Sequence, residues 1–430
     1  MTGLPARTVP CPAVRTFKPM DRGNPTGRFQ AGCRKPSRGP PRCKHYAARC
    51  PVVLARRKNL PFTCRHGTVA PRGSLIASRG ALSRTRGAGG SLGCVAGNAG
   101  MSPLASRSCP PGYRELRDAA AWVELPSRST VQVRGRDAVR FVENFTTAAL
   151  AKLPTGGGVE GFFTDARGWV LAMAAILRID DGLWIDAMPG MGGLLAAHLE
   201  HYHIREDLVV TDASAEYGNL LVAGTCAAEW LVSHGDTPLP ASPFAHVAGR
   251  LGGITGRIAN IDWYGPCGFL VQVPAAELPR LASWFVAAGL PSASPEAVEA
   301  IRIEERLPAP ADIVDKTLPQ ELDRDGRAIC FTKGCYLGQE TVARIDALGH
   351  VNRRLALLAI DAATPPLPGS SVTSAGEPVG TLTSSCLSPR VGTAAGLALV
   401  QRRGLESAGL EVAGAAARVV PTAAAAREED

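Results

Sequence analysis

Apolar residues recur with two periods between residues 112 and 420, and each change of period marks a new element. Alternation at period two, or a short apolar run bounded by turn residues, predicts strands at 130–133, 160–164, 169–179, 183–187, 207–212, 217–223, 256–263 and 268–273. Helical spacing predicts helices at 116–125, 136–146, 191–202, 226–233 and 275–288. Asp165-Ala166-Arg167-Gly168 and Asp180-Asp181-Gly182 read as tight turns joining neighbouring strands. Ser294-Pro295-Glu296 combines a capping hydroxyl, a first-turn proline and an early acid, so a helix should start there and run to about Arg306. After Val351 the pattern changes to short strands separated by Gly/Pro turns, at 355–360, 371–373, 379–384, 393–399, 410–412 and 416–420. Mixed helices and hairpins followed by such a series predict an α+β fold with a small C-terminal antiparallel β-barrel. The expected boundaries are 112–350 for the α+β region, 351–420 for the barrel and 421–430 for a tail.

Charge divides the chain differently. The 430 residues carry a net +9, but residues 1–110 hold 20 Lys and Arg against the single acid Asp21, or +19. The remainder has 47 − 20 = 27 bases and 38 − 1 = 37 acids, or −10. Runs such as Arg34-Lys35-Pro36-Ser37-Arg38-Gly39 hold too little apolar surface to fold alone, so residues 1–110 are expected to form a disordered basic extension. Three origins fit it: a basic arm, a transit peptide, or upstream sequence included by a misplaced start, with Met101 as the natural one. The mildly acidic body gives no reason to expect nucleic acid. Sparse cysteines in the body, and the lack of a membrane-spanning run or secretory signal, suggest a reducing, cytoplasmic setting.

One segment carries the chemistry: Lys333-Gly334-Cys335-Tyr336-Leu337-Gly338-Gln339-Glu340. A thiol reacts as its thiolate, and a nearby cation favours that form. Glycines on both sides let the backbone turn or approach a partner closely. Most single cysteines are small buried hydrophobes, but Lys, Gln and Glu are poor company for a core. Cys335 is therefore read as the reactive residue, with Lys333 as its activating cation.

The motif resembles the signature of the YgfZ family, folate-binding proteins related to the T-protein (aminomethyltransferase) of the glycine cleavage system. The similarity extends through Thr341-Val342-Ala343-Arg344, with Leu318-Pro319-Gln320-Glu321, Phe145-Thr146-Thr147, Phe162-Phe163-Thr164, Gly168 and Gly380-Thr381-Leu382-Thr383-Ser384 in the expected order. It covers roughly residues 112–420. It implies a GcvT-like folate-binding domain ahead of the barrel, tetrahydrofolate as cofactor, and a role in assembling or repairing iron–sulfur clusters, including those of tRNA-modifying radical enzymes. Iron–sulfur client or assembly proteins are the implied partners. Arg302 matches the T-protein arginine that meets the folate tail, and Gly334, Tyr336, Gly338, Gln339 and Glu340 are implied to join it at the cofactor. Two acids of the T-protein are missing: the stretches Gly168-Trp169-Val170-Leu171-Ala172-Met173 and Gly265-Pro266-Cys267-Gly268-Phe269-Leu270 contain none. Transfer of an aminomethyl group needs a residue to handle the folate nitrogen's proton, so their loss speaks against that activity. Aminomethyl transfer remains the alternative, to be revived if Glu160 or Asp165 faces the pocket. A non-catalytic scaffold is the second alternative.

Arg302 could instead be a surface helix arginine paired with Glu299 or Glu305. His198 and His201 could share a metal on a helix, or be solvated, as could His203. Gly156-Gly157-Gly158 lacks the Lys-Ser/Thr of a phosphate loop and reads as a turn. Cys330 is either a second thiol for Cys335 or a core residue. Asp323 and Asp325 read as a charged loop, Glu340 and Arg344 as a helical ion pair, and His350 as a hinge or motif residue.

Overall fold

The computed structural model describes residues 109–421; the expectations for residues 1–108 and for the tail from 422 on lie outside them. The chain enters through helix α1 (Tyr113–Asp118), strands β1 (Ala121–Glu124) and β2 (Ser129–Arg134) and helix α2 (Ala138–Glu143). It continues through β3 (Gly158–Thr164), β4 (Val170–Ile179), β5 (Gly182–Ala187), α3 (Gly192–Tyr202), β6 (Val209–Asp212), β7 (Tyr217–Ala223) and α4 (Ala227–His234). Next come β8 (His246–Leu251), β9 (Ile254–Asn260), β10 (Gly268–Pro274), α5 (Leu278–Ala287), α6 (Pro295–Glu304), the single turn α7 (Asp325–Ala328) and α8 (Gln339–Leu348). The last six strands are β11 (Arg353–Ile360), β12 (Ser371–Ser374), β13 (Glu377–Ser388), β14 (Thr393–Gln401), β15 (Leu410–Val412) and β16 (Ala415–Val419), with the single turn α9 (Arg402–Leu405) between β14 and β15.

Two antiparallel five-stranded sheets form the α+β region, in the orders β1-β7-β10-β9-β8 and β3-β4-β5-β2-β6. The six C-terminal strands close into a barrel, β11-β14-β13-β12-β15-β16, which leaves no free sheet edge. The expected α+β fold with a terminal barrel is the one observed. Within it, the helix expected over 116–125 stops at Asp118, and Ala121–Glu124 pairs with β7 instead. Ala121, Trp122 and Val123 are all buried there, and burial on both faces of a strand overrides local helical spacing. Strand β8 was not expected; its sequence, His246-Val247-Ala248-Gly249-Arg250-Leu251, alternates too weakly to stand out.

Helix α6 holds the α+β region to the barrel. It begins as expected, with the Ser294 hydroxyl accepting from the Ala297 N–H. Its Arg302 donates to Asp312 Oδ2 at 2.8 Å and to Ser384 of β13 at 2.8 Å. Asp312 also accepts from Thr383 at 2.5 Å, Ser384 at 2.7 Å and the Ala309 N–H at 2.8 Å. Two residues further along α6, Glu304 accepts from the Tyr113 hydroxyl at 2.6 Å and the Ser388 hydroxyl at 2.5 Å. Asp312 is fully buried and Glu304 nearly so. Removing one partner of such a pair strands the other charge out of water and costs about 3–5 kcal/mol. Asp312→Ala should lower the urea-denaturation free energy by about that amount, more than any substitution at the exposed pair Arg402–Glu406.

His246 links the two sheets. Its Nδ1 accepts from Arg257 at 2.6 Å, which leaves Nε2–H to donate to the Arg178 carbonyl at 2.9 Å. Burial, and then the Arg257 charge, hold its pKa down to about 4. The imidazole is neutral in the fold but takes a proton at about pH 6.5 when unfolded. Its contribution is therefore complete above about pH 6.5 and is lost as pH falls toward 4. Stability measured against pH should fall by about 2–3 kcal/mol over that window through this group. His246→Gln, which can make both hydrogen bonds without titrating, should show a shallower decline.

Candidate functional site

A cavity of about 220 Å³, partly open to solvent, lies where the β1–β2 turn, strand β4, the end of β5, the segment after β9 and helix α6 converge. Its walls are largely apolar and aromatic, including Met173, Met188, Trp263 and Tyr264, with Arg128 and Arg302 as its two guanidinium groups. Trp263 is held by its indole N–H, which donates to Glu160 Oε2 at 2.7 Å. The Arg128 guanidinium lies 4.9 Å from the Trp263 ring centroid, a cation–π distance. Arg128 also bonds Asp186 through two nitrogens, at 2.9 and 2.5 Å. A flat aromatic group fits between such walls, and an anionic group fits an arginine.

No buried carboxylate at this cavity is free for proton transfer. Glu160 is turned away, in a two-pronged pair with Arg324. Burial would raise its pKa, but Arg324, backed by Arg327 and the Trp263 N–H, more than reverses that, so it stays ionised. Asp165 Oδ1 accepts from the N–H groups of Arg167 and Trp169, at 2.9 Å each, and closes the β3–β4 turn. Asp186 is fully buried against Arg128. The lining acids are Glu124, exposed, and Glu299, already bonded to Arg302. The acid-free stretch 168–173 ends at Met173, whose buried side chain forms part of the wall.

Arg302 reaches the cavity, but its five N–H groups are all engaged. Nε and Nη2 donate to the two oxygens of Glu299 at 2.7 and 2.6 Å. Nη1 serves Asp312 and the Leu307 carbonyl, and Nη2 also serves Ser384. It pairs with Glu299 rather than Glu305, and it is buried rather than a surface arginine.

The cysteine motif lies elsewhere. Gly334, Cys335, Tyr336, Gly338, Gln339 and Glu340 are absent from the cavity lining, so this geometry does not join them to Arg302 at one site. The motif packs on the β3–β4 turn instead. The Leu337 carbonyl accepts from Thr164 Oγ1 at 2.7 Å, and the Leu337 N–H donates to the Asn144 carbonyl. Gly338 begins α8 with φ 81°, and a Cβ there would sit 2.5 Å from the Asp165 carbonyl oxygen and 2.6 Å from Gly168 Cα. Gly168 is equally closed, with the Gly338 oxygen 2.9 Å from where its Cβ would lie. The two glycines let the chains touch. Gly334, in contrast, has open space around it.

Lys333 does not act on Cys335 as expected. Its ammonium has three N–H groups, and they donate to the carbonyls of Glu143, Thr146 and Ala148 at 2.6, 2.7 and 2.7 Å. It caps the end of α2 and lies 5.1 Å from the Tyr336 ring centroid. Burial lowers its pKa to about 8, opposed first by the Glu143 carboxylate and then by Cys330, not by Cys335. Cys335 itself is exposed, while Tyr336 is buried beside it. Cys330 is half-buried, with its Sγ 3.6 Å from Thr332 Oγ1.

Among the described residues no group of His, Cys, Asp or Glu could hold a metal. His198 packs on Phe145 and Tyr202, and His203 bonds the Glu206 carbonyl. No ion pair joins Glu340 to Arg344 among the described residues. The cavity residues Arg128, Asp186 and Trp263 escaped the sequence reading. Arg128 and Asp186 are 58 positions apart with no local signal; the adjacent Trp263-Tyr264 at a strand end was the one visible hint.

The comparisons agree with this architecture. Residues 105–328, more than half of the chain, match the GCVT N-terminal domain, and residues 353–425 match the glycine cleavage T-protein C-terminal barrel domain. The chain belongs to this family. A chloroplastic protein of Arabidopsis thaliana, named without a substrate as a transferase, is 25% identical over 264 residues. The match takes in 61% of this chain and only 61% of that relative. An aminomethyltransferase of Deinococcus deserti is 24% identical over 303 residues, 70% of this chain and 82% of its own. The crystal structure of glycine cleavage system aminomethyltransferase T from Bartonella henselae superposes with a TM-score of 0.62 at 17% identity, over 72% of this chain and 87% of that one. That likeness is one of fold. Among the described residues no helix is long and apolar enough to cross a membrane.

Gly338→Ala should force a left-handed backbone angle on a side chain and drive its Cβ into the β3–β4 turn. A loss of about 1–3 kcal/mol in thermal or urea unfolding is expected, against no measurable change for Gly334→Ala.

Proposed function

We propose that this protein binds tetrahydrofolate in the cavity between Trp263 and α6, without transferring its one-carbon unit, and serves iron–sulfur cluster assembly or repair through Cys335. The observation that carries the folate half is the composition of the cavity: an aromatic and thioether slot, two arginines, and no buried carboxylate free to move a proton. Such a site holds a flat heterocycle with an anionic tail but offers no buried base for aminomethyl transfer. Family membership favours a folate; the names of the bacterial relatives favour transfer, and the missing acid argues against it. The exposed thiol of Cys335, on a loop anchored by Lys333 and Gly338, is open to a protein partner or a damaged cluster. Lys333 positions that loop. Client proteins of iron–sulfur enzymes, tRNA-modifying ones among them, are the partners this reading implies, in a cytoplasmic setting.

Calorimetry of the full chain with tetrahydrofolate tests the first half. Saturable one-to-one binding is expected, weakened about tenfold in Trp263→Ala; no heat at millimolar folate would overturn it. Complementation of a deletion strain tests the second. Cys335→Ala should fail to restore iron–sulfur enzyme activity while folding and binding folate normally, and full rescue would sink the role of the thiol. Turnover in an aminomethyltransferase assay would favour the rival reading.

A further inference from the structure

Two arginine–carboxylate pairs border the cavity, and they differ in one respect. In the Arg128–Asp186 pair the acid side chain is completely buried and has nowhere to go. In the Arg302–Glu299 pair the guanidinium is 8% exposed but the acid is 46% exposed. Glu299 closes the Nε/Nη2 edge of Arg302 with both its oxygens, the geometry in which an arginine grips a carboxylate. It does so from one helical turn away on α6, with its own side chain also on the cavity wall.

We propose that Glu299 is a built-in carboxylate that occupies the Arg302 edge while the cavity is empty and gives way to the carboxylate tail of an entering ligand. Glu299 thereby sets how tightly a tail is held. The inference rests on the reading of the cavity as a folate site. If Glu299 swings out, Arg302 keeps Asp312, Ser384 and the Leu307 carbonyl, so the guanidinium does not move. The Nε–H and one Nη2–H are then presented together, already oriented. A half-exposed acid leaves at little cost, because water solvates it as it goes. A neutral ligand offers nothing to replace it and leaves it in place. The chain thus keeps a buried guanidinium fully partnered at all times, at the expense of tail affinity.

The test is calorimetry on the full chain and on Glu299→Gln, with tetrahydrofolate and with a reduced pterin that lacks the aminobenzoyl-glutamate tail. The substitution keeps the size of the side chain and removes its charge. Tetrahydrofolate should bind the variant about threefold to fivefold more tightly, the scale of one half-exposed ion pair, while the tail-less pterin binds both proteins alike. Unchanged or weaker tetrahydrofolate binding, or equal tightening of both ligands, would overturn the role of Glu299 and leave the folate reading standing. Failure of both ligands to bind either protein would overturn both.

Discussion

The buried contact between Arg302 and Asp312 is the constraint on which the arrangement of this molecule depends. A guanidinium and a carboxylate withdrawn from water are costly unless every donor and acceptor is met. Here Arg302 has no unused N–H, and the Asp312 carboxylate accepts from four groups. The acceptors and donors come from α6, the segment after it and strand β13. Meeting the demand of one ion pair therefore fixes the barrel against the α+β region. The same helix supplies the rim of the cavity, so the junction and the site share their rigid part.

That sharing explains the character of the cavity. Trp263 is locked through Glu160, Glu160 through Arg324, and Arg128 through Asp186. Each buried charge near the site is neutralised by a partner that also positions a wall. A site built in this way is stiff, and stiffness favours binding, since little order remains to be imposed on the protein when a ligand enters. It also leaves no buried carboxylate spare for acid–base work, Glu124 at the exposed rim being the one lining acid without a partner among the described residues. The family's architecture is retained, with Met173 in the wall of the cavity.

The cysteine motif has a structural duty that its sequence conceals. Lysine beside a cysteine suggests activation of a thiol, yet this lysine satisfies the carbonyl groups at the end of α2. Gly338 is present because the β3–β4 turn touches its backbone, whereas Gly334 meets nothing. These contacts hold Cys335 on an exposed loop away from the cavity. The cavity and the exposed thiol are two separate places in the fold.

By itself the sequence determined the class of fold, the barrel, most strands and the start of α6. Period, turn chemistry and capping are local signals, and here they agree with the tertiary structure. The motif at 333–340 was also legible, because its glycines and polar flanks contradict a core. What the sequence could not decide were pairings between distant residues: Arg128 with Asp186, Arg302 with Asp312 and Glu299, and Lys333 with three carbonyls instead of Cys335. The strand at Ala121–Glu124 belongs with these, since its pairing with β7 and its burial set aside a helical pattern. In each case the deciding term is desolvation, which acts only once the chain has closed around a group and which no spacing along the sequence records.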